Sequence, residues 1–301
     1  MAILVWLGTF ADAIGEWSEG HNWLDEDGAD AGVVPTTGDD VYFTSGSQDV
    51  QADTITPSVV LDSLNFGTRW TGSFVTEVDP TTGTTDDDTL DVGVMSATVL
   101  EYAKKIGAVE LTGTYTTANV QATSVDSPAL LFNSSTIPTL NITGGNGTIF
   151  VDRNTTLSGT VSMVGAKKAR LELEVDATVN GVEVTMDAGR FITYNEIDKL
   201  FMYGGVVEFR NATGTTNLID LYQGTIKYKP TGGAVLSALN AYGGFFDMRG
   251  CPSPSHTITA VTMYAGSMID ERNGLSNTTY TDPIVAGGII KCDLGRTVTV
   301  V

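Results

Sequence analysis

The chain has 301 residues, with 36 acidic against 16 basic side chains, a formal net charge of −20, and 42% apolar residues. A polyanion repels nucleic acid and anionic lipid headgroups, since both kinds of binding need Lys and Arg to displace counterions, so neither is expected as a partner. Richness in Thr, Val and Ile excludes an acidic disordered chain and supplies material for a β core.

The N-terminus, MAILVWLGTFADAIGEW, begins apolar but lacks a basic n-region and meets Asp12 early. It does not read as an export signal, and synthesis in a cytoplasm is the expectation. No window reaches the roughly 18 uninterrupted apolar residues of a membrane span. All four tryptophans, Trp6, Trp17, Trp23 and Trp70, fall in the first quarter of the chain. Residues 1–40 are therefore expected to form an N-terminal cap or docking segment, and 41–301 a repetitive β body. The indoles have two uses open to them: packing over the end of that body, or forming an aromatic platform for a partner protein or sugar, since Trp offers large buried area and one donor.

The stretch VDPTTGTTDDDTLDVG (78–93) groups Asp86, Asp87 and Asp88 after Gly83, but calcium-loop spacing is missing, and a solvated acidic loop is expected. SATVLEYAKKIG (96–107) comes closest to helical periodicity, yet it also fits a strand and a turn. The two cysteines, Cys251 and Cys292, make no disulfide framework and are expected as free thiols. The two histidines, His21 and His256, lie near opposite ends, so no nucleophilic triad assembles, and no phosphate-binding, dinucleotide or zinc motif is present. No metal, cofactor or catalytic residue is expected.

A repeat organises the remainder. LFMYGGVVEF, IDLYQGTIKY, LNAYGGFFDM and VTMYAGSMID align on Gly205, Gly224, Gly244 and Gly266. Their spacing is nearly even, roughly 20 residues, which is a period of stacked repeat folds. The frame extends to Gly288 and backward through Gly189, Lys168 or Ala169, Gly147, Ser127 and Gly107, giving ten anchors. Two and four residues after an anchor the side chains are apolar, as in Val207 and Phe209 or Ile226 and Tyr228. Five and three residues before it they are apolar again, as in Leu200 and Met202. This alternation describes two short strands, each with one buried face, joined by a corner that Gly suits. Four buried side chains per turn contribute on the order of 6–12 kcal/mol gross. Backbone ordering offsets most of that, so the strands must stack turn on turn. The expected fold is all-β, a parallel β-helix (β-solenoid) of about ten or more turns, with a β-sandwich as the alternative. Arg170 and Asp270 fit the frame poorly. Asn133, Asn195 and Asn211 recur six residues after an anchor, where a second corner calls for a residue tolerant of the left-handed region.

Two outward columns stand out. Tyr203, Tyr222, Tyr242 and Tyr264 each precede an anchor by two residues. Strict alternation places them outside as an aromatic ladder, a lateral contact strip for a partner, another copy or a sugar; rotation at the corner would instead stack them in the core. Glu172, Glu174, Glu208 and Asp247 also fall on outward positions. Glu172 and Glu174 are two residues apart on one face, the spacing of a glycosidase pair and equally of a solvated sheet face.

The run GEWSEGHNWLDEDGADAGVVPTTGDDVYFTSGS (15–47), with Trp17, Asn22, Trp23, Pro35, Gly38, Asp39, Asp40 and Val41 in a spaced pattern, resembles the opening segment of many β-helical surface proteins. VVLDSLNFGTRWTGSF (59–74) is similar to their first turns. Bacterial autotransporter passengers and virion proteins of tailed phages share this pattern. The resemblance implies a fold more than an activity. Joined to the missing export signal, the acidity and the lack of catalytic motifs, it leads to the expectation of a non-enzymatic capsid decoration (cement) protein. Such a protein would sit on the virion head, bind the major capsid protein and form a homotrimer. The alternatives are a tailspike or tail-fibre module that binds or cleaves cell-surface glycan, and a segment of a bacterial adhesin.

Overall fold

The structure, a computed structural model, describes residues 1–51, 55, 59–72, 74–75, 92–94, 96–105, 109–122, 129–152, 154–175, 177–179, 181–210, 214–230, 234–251, 255–272, 277–292 and 299–300. Residues 78–91 of the expected acidic loop (78–93), the anchors Gly107 and Ser127, and Asn211 lie outside them, while the loop's last two residues begin the strand Val92–Val94. The fold is an all-β solenoid of about nine turns. Among the described residues the one helical element is a single 3-10 turn, Gly20–Asn22. The chain forms two compact units, Met1–Thr156 and Leu157–Val301.

In the first unit Ile3–Trp6 pairs antiparallel with Trp23–Leu24 and parallel with Asp40–Gly46. From there the order runs in parallel through Val60–Trp70, Ser96–Tyr102, Tyr115–Ala122 and Thr136–Gly145. Ser96–Tyr102 is thus the strand that its alternation allowed. A second parallel sheet stacks Val92–Val94, Val109–Thr112, Leu130–Phe132 and Thr148–Val151.

The tryptophans occupy the interior of this unit. Trp6, Trp17, Trp23 and Trp70 are 0–3% exposed. Trp23 meets Trp6 and Trp17 edge-on at 4.8 and 4.7 Å between ring centres, and Phe43 joins the group to Trp70 and Phe66. The Trp23 indole N–H donates to the Trp17 carbonyl at 2.9 Å, so its polar edge is satisfied without water. Of the two uses open to the indoles, the structure gives packing: their area is turned inward, and none is presented as a platform. His21 packs on Phe10 with ring centres 4.8 Å apart, and its Nδ1 lies 2.6 Å from Asp30 Oδ2.

The second unit shows the two-strand turn. One sheet contains Glu183–Met186, Lys199–Met202, Thr215–Leu221, Val235–Ala241, Ser255–Tyr264 and Asn277–Ala286. The other contains Arg170–Leu173, Arg190–Thr193, Val206–Arg210, Thr225–Lys229, Phe245–Asp247, Met268–Asp270 and Ile289–Lys291. Each strand pairs in parallel with its equivalent one turn away. Val207, Phe209, Ile226, Tyr228, Phe246 and Met248 from one sheet and Leu200, Met202, Ile219 and Leu221 from the other are buried, as the alternation required.

Two misfits resolve at the corners. Met268 N–H donates to the Gly244 carbonyl as Phe245 N–H donates to Gly224, so the equivalent of Gly244 is Ser267, not Gly266. The Tyr264-to-Met268 corner is one residue longer, and the Ser267 hydroxyl closes it on the Tyr264 carbonyl at 2.6 Å. Asp270 thereby moves from an inward position to the outward one beside Asp247. Likewise the anchor before Arg170 is Ala169, whose carbonyl accepts from Arg190 N–H. The second corner differs from expectation. Ser134 and Asn154, not Asn133 and Asn195, are the non-glycine residues with positive φ among the described ones. Asn133 and Asn195 instead tie the corner with side-chain bonds, to Glu110 Oε1 at 2.6 Å and to the Glu174 carbonyl at 2.7 Å.

Candidate functional site

The repeat builds two ladders on the outside of the second unit. The first is aromatic. Tyr203, Tyr222 and Tyr242 directly follow, and Tyr264 ends, successive strands of one sheet, and the four rings stack face to face. Their ring centres are 4.7, 4.7 and 5.0 Å apart and the planes are within 9° of parallel. The spacing is that of neighbouring strands, so register alone brings the rings into contact. Tyr203, Tyr242 and Tyr264 are 40–48% exposed, which settles the direction of the column as outward. Because each inner ring is covered on both faces, the strip presents ring edges and hydroxyls, not faces. A sugar, which stacks on a ring face, finds little here; a protein surface that fills edges and accepts hydroxyl protons fits better. Desolvation, with the charge of Asp220 second, raises the Tyr222 and Tyr242 hydroxyls above the ordinary phenol value, so they remain donors.

The second ladder is ionic and runs up the outer face of the other sheet. Glu172, Glu208, Asp247 and Asp270 point outward, but their side chains are only 2–9% exposed. Arginines and a lysine lie over them: Arg170 on Glu172; Arg190, Arg210 and Lys227 on Glu208 at 2.7–2.8 Å; Arg249 on Asp247; and Arg272 on Asp270. These basic side chains are 35–46% exposed. The expected acidic face is therefore a layer of carboxylates roofed by cations. Sequence reading missed the basic partners, although Arg170, Arg190 and Arg210 recur at the repeat's own period.

This layer bears on the glycosidase alternative. Glu172 is ion-paired to Arg170, while Glu174 follows the strand end, half-exposed, with its carbonyl bonded to Asn195. The spacing fitted a glycosidase pair and a solvated sheet face equally; the structure gives one carboxyl an ion pair and leaves the other half-exposed. Glu208 shows what the roof does chemically. Burial alone would raise its pKa, but hydrogen bonds from Lys227 and Arg210 and the charge of Arg190 outweigh burial and hold it at about 2. Such a group cannot donate a proton near neutrality. The folded pKa lies below the ordinary 4.5, so the stabilisation is complete above pH 4.5 and is lost as pH falls towards about 2. Acid unfolding of Glu208→Gln, followed by circular dichroism, is expected to show a flatter pH dependence than wild type across that window. An unchanged profile would contradict the ladder.

In the first unit the outward column Tyr42, Asn65, Glu101, Asn119 and Asn141 lies in register across five strands. Asn141 donates to Asn119 at 2.9 Å and Asn119 to Glu101 at 2.6 Å. A shallow groove of about 290 Å³ runs beside it, lined by Tyr42, Asn65, Glu101, Asn119, Gln121 and Thr143 among others. Both cysteines are free, Cys251 buried and Cys292 exposed. Among the described residues, no group of three or more His, Cys, Asp or Glu side chains is arranged to hold a metal ion. No protein-family model matches the chain, and neither a curated protein nor a solved structure does.

Proposed function

We propose that this protein is a non-enzymatic structural component of a tailed-phage virion: a decoration or cement protein that assembles as a homotrimer on the head surface and ties major capsid proteins together. The observation that carries this reading is the stacked tyrosine strip. Four rings held at strand spacing on a β scaffold form a rigid contact edge, whose ordering cost is met in folding and not at binding. The resemblance of residues 15–47 and 59–74 to virion β-helices supports the setting, and the cation-roofed carboxylates favour a structural role over hydrolysis.

Shells stripped of this protein are expected to lose resistance to heat and osmotic shock, and adding back the wild-type chain should restore it. Tyr222→Ala with Tyr242→Ala should bind shells at least about tenfold more weakly, since central aromatic anchors dominate interfaces, while keeping a wild-type β spectrum. Stripped shells with unchanged resistance would reject the reading.

A second reading, a tail module that binds glycan without cleaving it, is favoured by the groove beside Tyr42. Tyr42, with the amide of Gln121 and the hydroxyl of Thr143 beside the internally bonded Asn65 and Asn119, offers the ring-and-polar chemistry a neutral saccharide needs. Saccharide-induced shifts of the Asn119 and Gln121 side-chain amide resonances would promote it over the first.

A further inference from the structure

Charge is distributed unevenly along this chain. Residues 1–156 contain 22 acidic and four basic side chains, a net of −18; residues 157–301 contain 14 and 12, a net of −2. Within the second unit the asymmetry sharpens. Among the described residues, the outer face of the sheet from Arg170–Leu173 to Ile289–Lys291 carries eight bases, Arg170, Arg190, Arg210, Lys227, Lys229, Arg249, Arg272 and Lys291, against five carboxylates, Glu172, Glu174, Glu208, Asp247 and Asp270. The described residues of this face thus sum to net +3 on a protein of net −20.

Sheet stability alone does not call for this arrangement. Ion pairs at a surface contribute little each and need only matched numbers. Here three cations converge on Glu208, and the cationic ends lie outermost with the carboxylates beneath. A guanidinium gripped along one edge by a carboxylate keeps further N–H donors for a second acceptor. What approaches this face meets cations first.

The first unit carries a surface that matches it. A groove of about 430 Å³ at the N-terminal end is lined by Asp25, Glu26, Asp27 and Asp40 together with Ile3 and Val33. Ile3 and Val33 are 39% and 53% exposed. Carboxylates beside bare aliphatic surface suit Arg and Lys, whose stems pack on apolar atoms while their heads pair with acids.

We infer that the basic sheet face of one copy docks on the Asp25–Asp27 groove of a second copy. The two surfaces are different, so the contact is heterologous, and it closes into a ring or continues into a string according to the rotation it imposes. The inference does not rest on the virion setting; it concerns the purified protein alone.

Sedimentation of the purified chain tests it. At about 0.1 M salt the Debye length is about 10 Å, which screens the net charge of each copy but not apposed pairs; at about 1 M it is about 3 Å and the pairs are weakened too. Wild type is expected to self-associate at the lower salt and dissociate at the higher. Lys229→Glu with Lys291→Glu, which spares the gripped arginines, should weaken association at least about tenfold, as should Asp25→Lys with Asp27→Lys. Mixing the two variants should restore association, because each supplies the charge the other now needs. A wild type that stays monomeric at the lower salt, association that is indifferent to both variants, or a mixture that fails to recover would overturn the inference. So would a monomer that captures heparin or DNA through this face.

Discussion

Trp23→Ala is expected to destabilise the first unit by about 3–5 kcal/mol, the range for removing a large buried aromatic side chain. Trp23 is fully buried, touches Trp6 and Trp17 edge-on, and satisfies its N–H internally. Truncation opens a cavity between rings that are themselves fixed by Phe43 and strand pairing, so collapse into the space is limited. Urea unfolding followed by the remaining indole fluorescence should give a midpoint far below that of wild type. A platform tryptophan would behave oppositely, costing little stability and much partner binding. A small shift in midpoint would therefore argue against the packed cap.

Gly224→Ala is expected to cost about 2–5 kcal/mol, combining roughly 1–2 for a left-handed non-glycine residue with 1–3 for overpacking. Gly224 has φ +93°, and a Cβ there would lie 2.6 Å from Met202 Cε and 2.7 Å from the Gly205 carbonyl oxygen. The methionine end can move; the carbonyl cannot, because it accepts from Thr225 N–H and holds one turn on the next. Gly181→Ala is the matched control. Its φ is +62°, but a Cβ would meet nothing within 4 Å, so only the conformational cost should appear. Thermal unfolding of the two variants should separate them clearly. Equal losses would mean that crowding at the stacked corners is not what selects glycine.

The same corner shows where sequence reading succeeds and fails. Alternation of apolar residues about Gly205, Gly224 and Gly244 suffices to place both strands, because buried and exposed faces differ by one residue and a slip would invert them. It fails at Gly266, where the anchor is not the glycine but Ser267, a serine that closes its own turn. Asp270 was the sign, since a carboxylate on an inward position is costly and a one-residue shift removes the cost. The tyrosine column was legible for the same reason as the strands, but its direction stayed open between solvent and core, and the exposure of Tyr203, Tyr242 and Tyr264 decides it. The direction of the tryptophans was not, because Trp is equally suited to a core and to an interface, and only contact with Phe43 decides. Outward carboxylates were visible as a column, but four of the bases over them stand two residues away on the carboxylate's own turn and two, Arg190 and Lys227, come from the turns before and after Glu208, and a search for catalytic pairs passes over them.

The turn-on-turn register also bears on how quickly the chain reaches its fold. In Leu157–Val301, Glu183 pairs with Lys199, Lys199 with Leu218, Ala238 with Ala260 and Phe245 with Met268, each pair separated by a single turn of chain. Sandwiches and barrels join strands from distant parts of the chain and must overcome a large loop-closure entropy before any contact compensates for it. Here each new rung closes a loop of nearly constant, modest length onto a template already formed. The expected kinetics are those of a zipper: a costly first pair of turns, rapid lengthening in either direction, and stalling at a damaged corner. That keeps the closure cost of each rung low and makes the integrity of each corner a matter of kinetics as well as of stability.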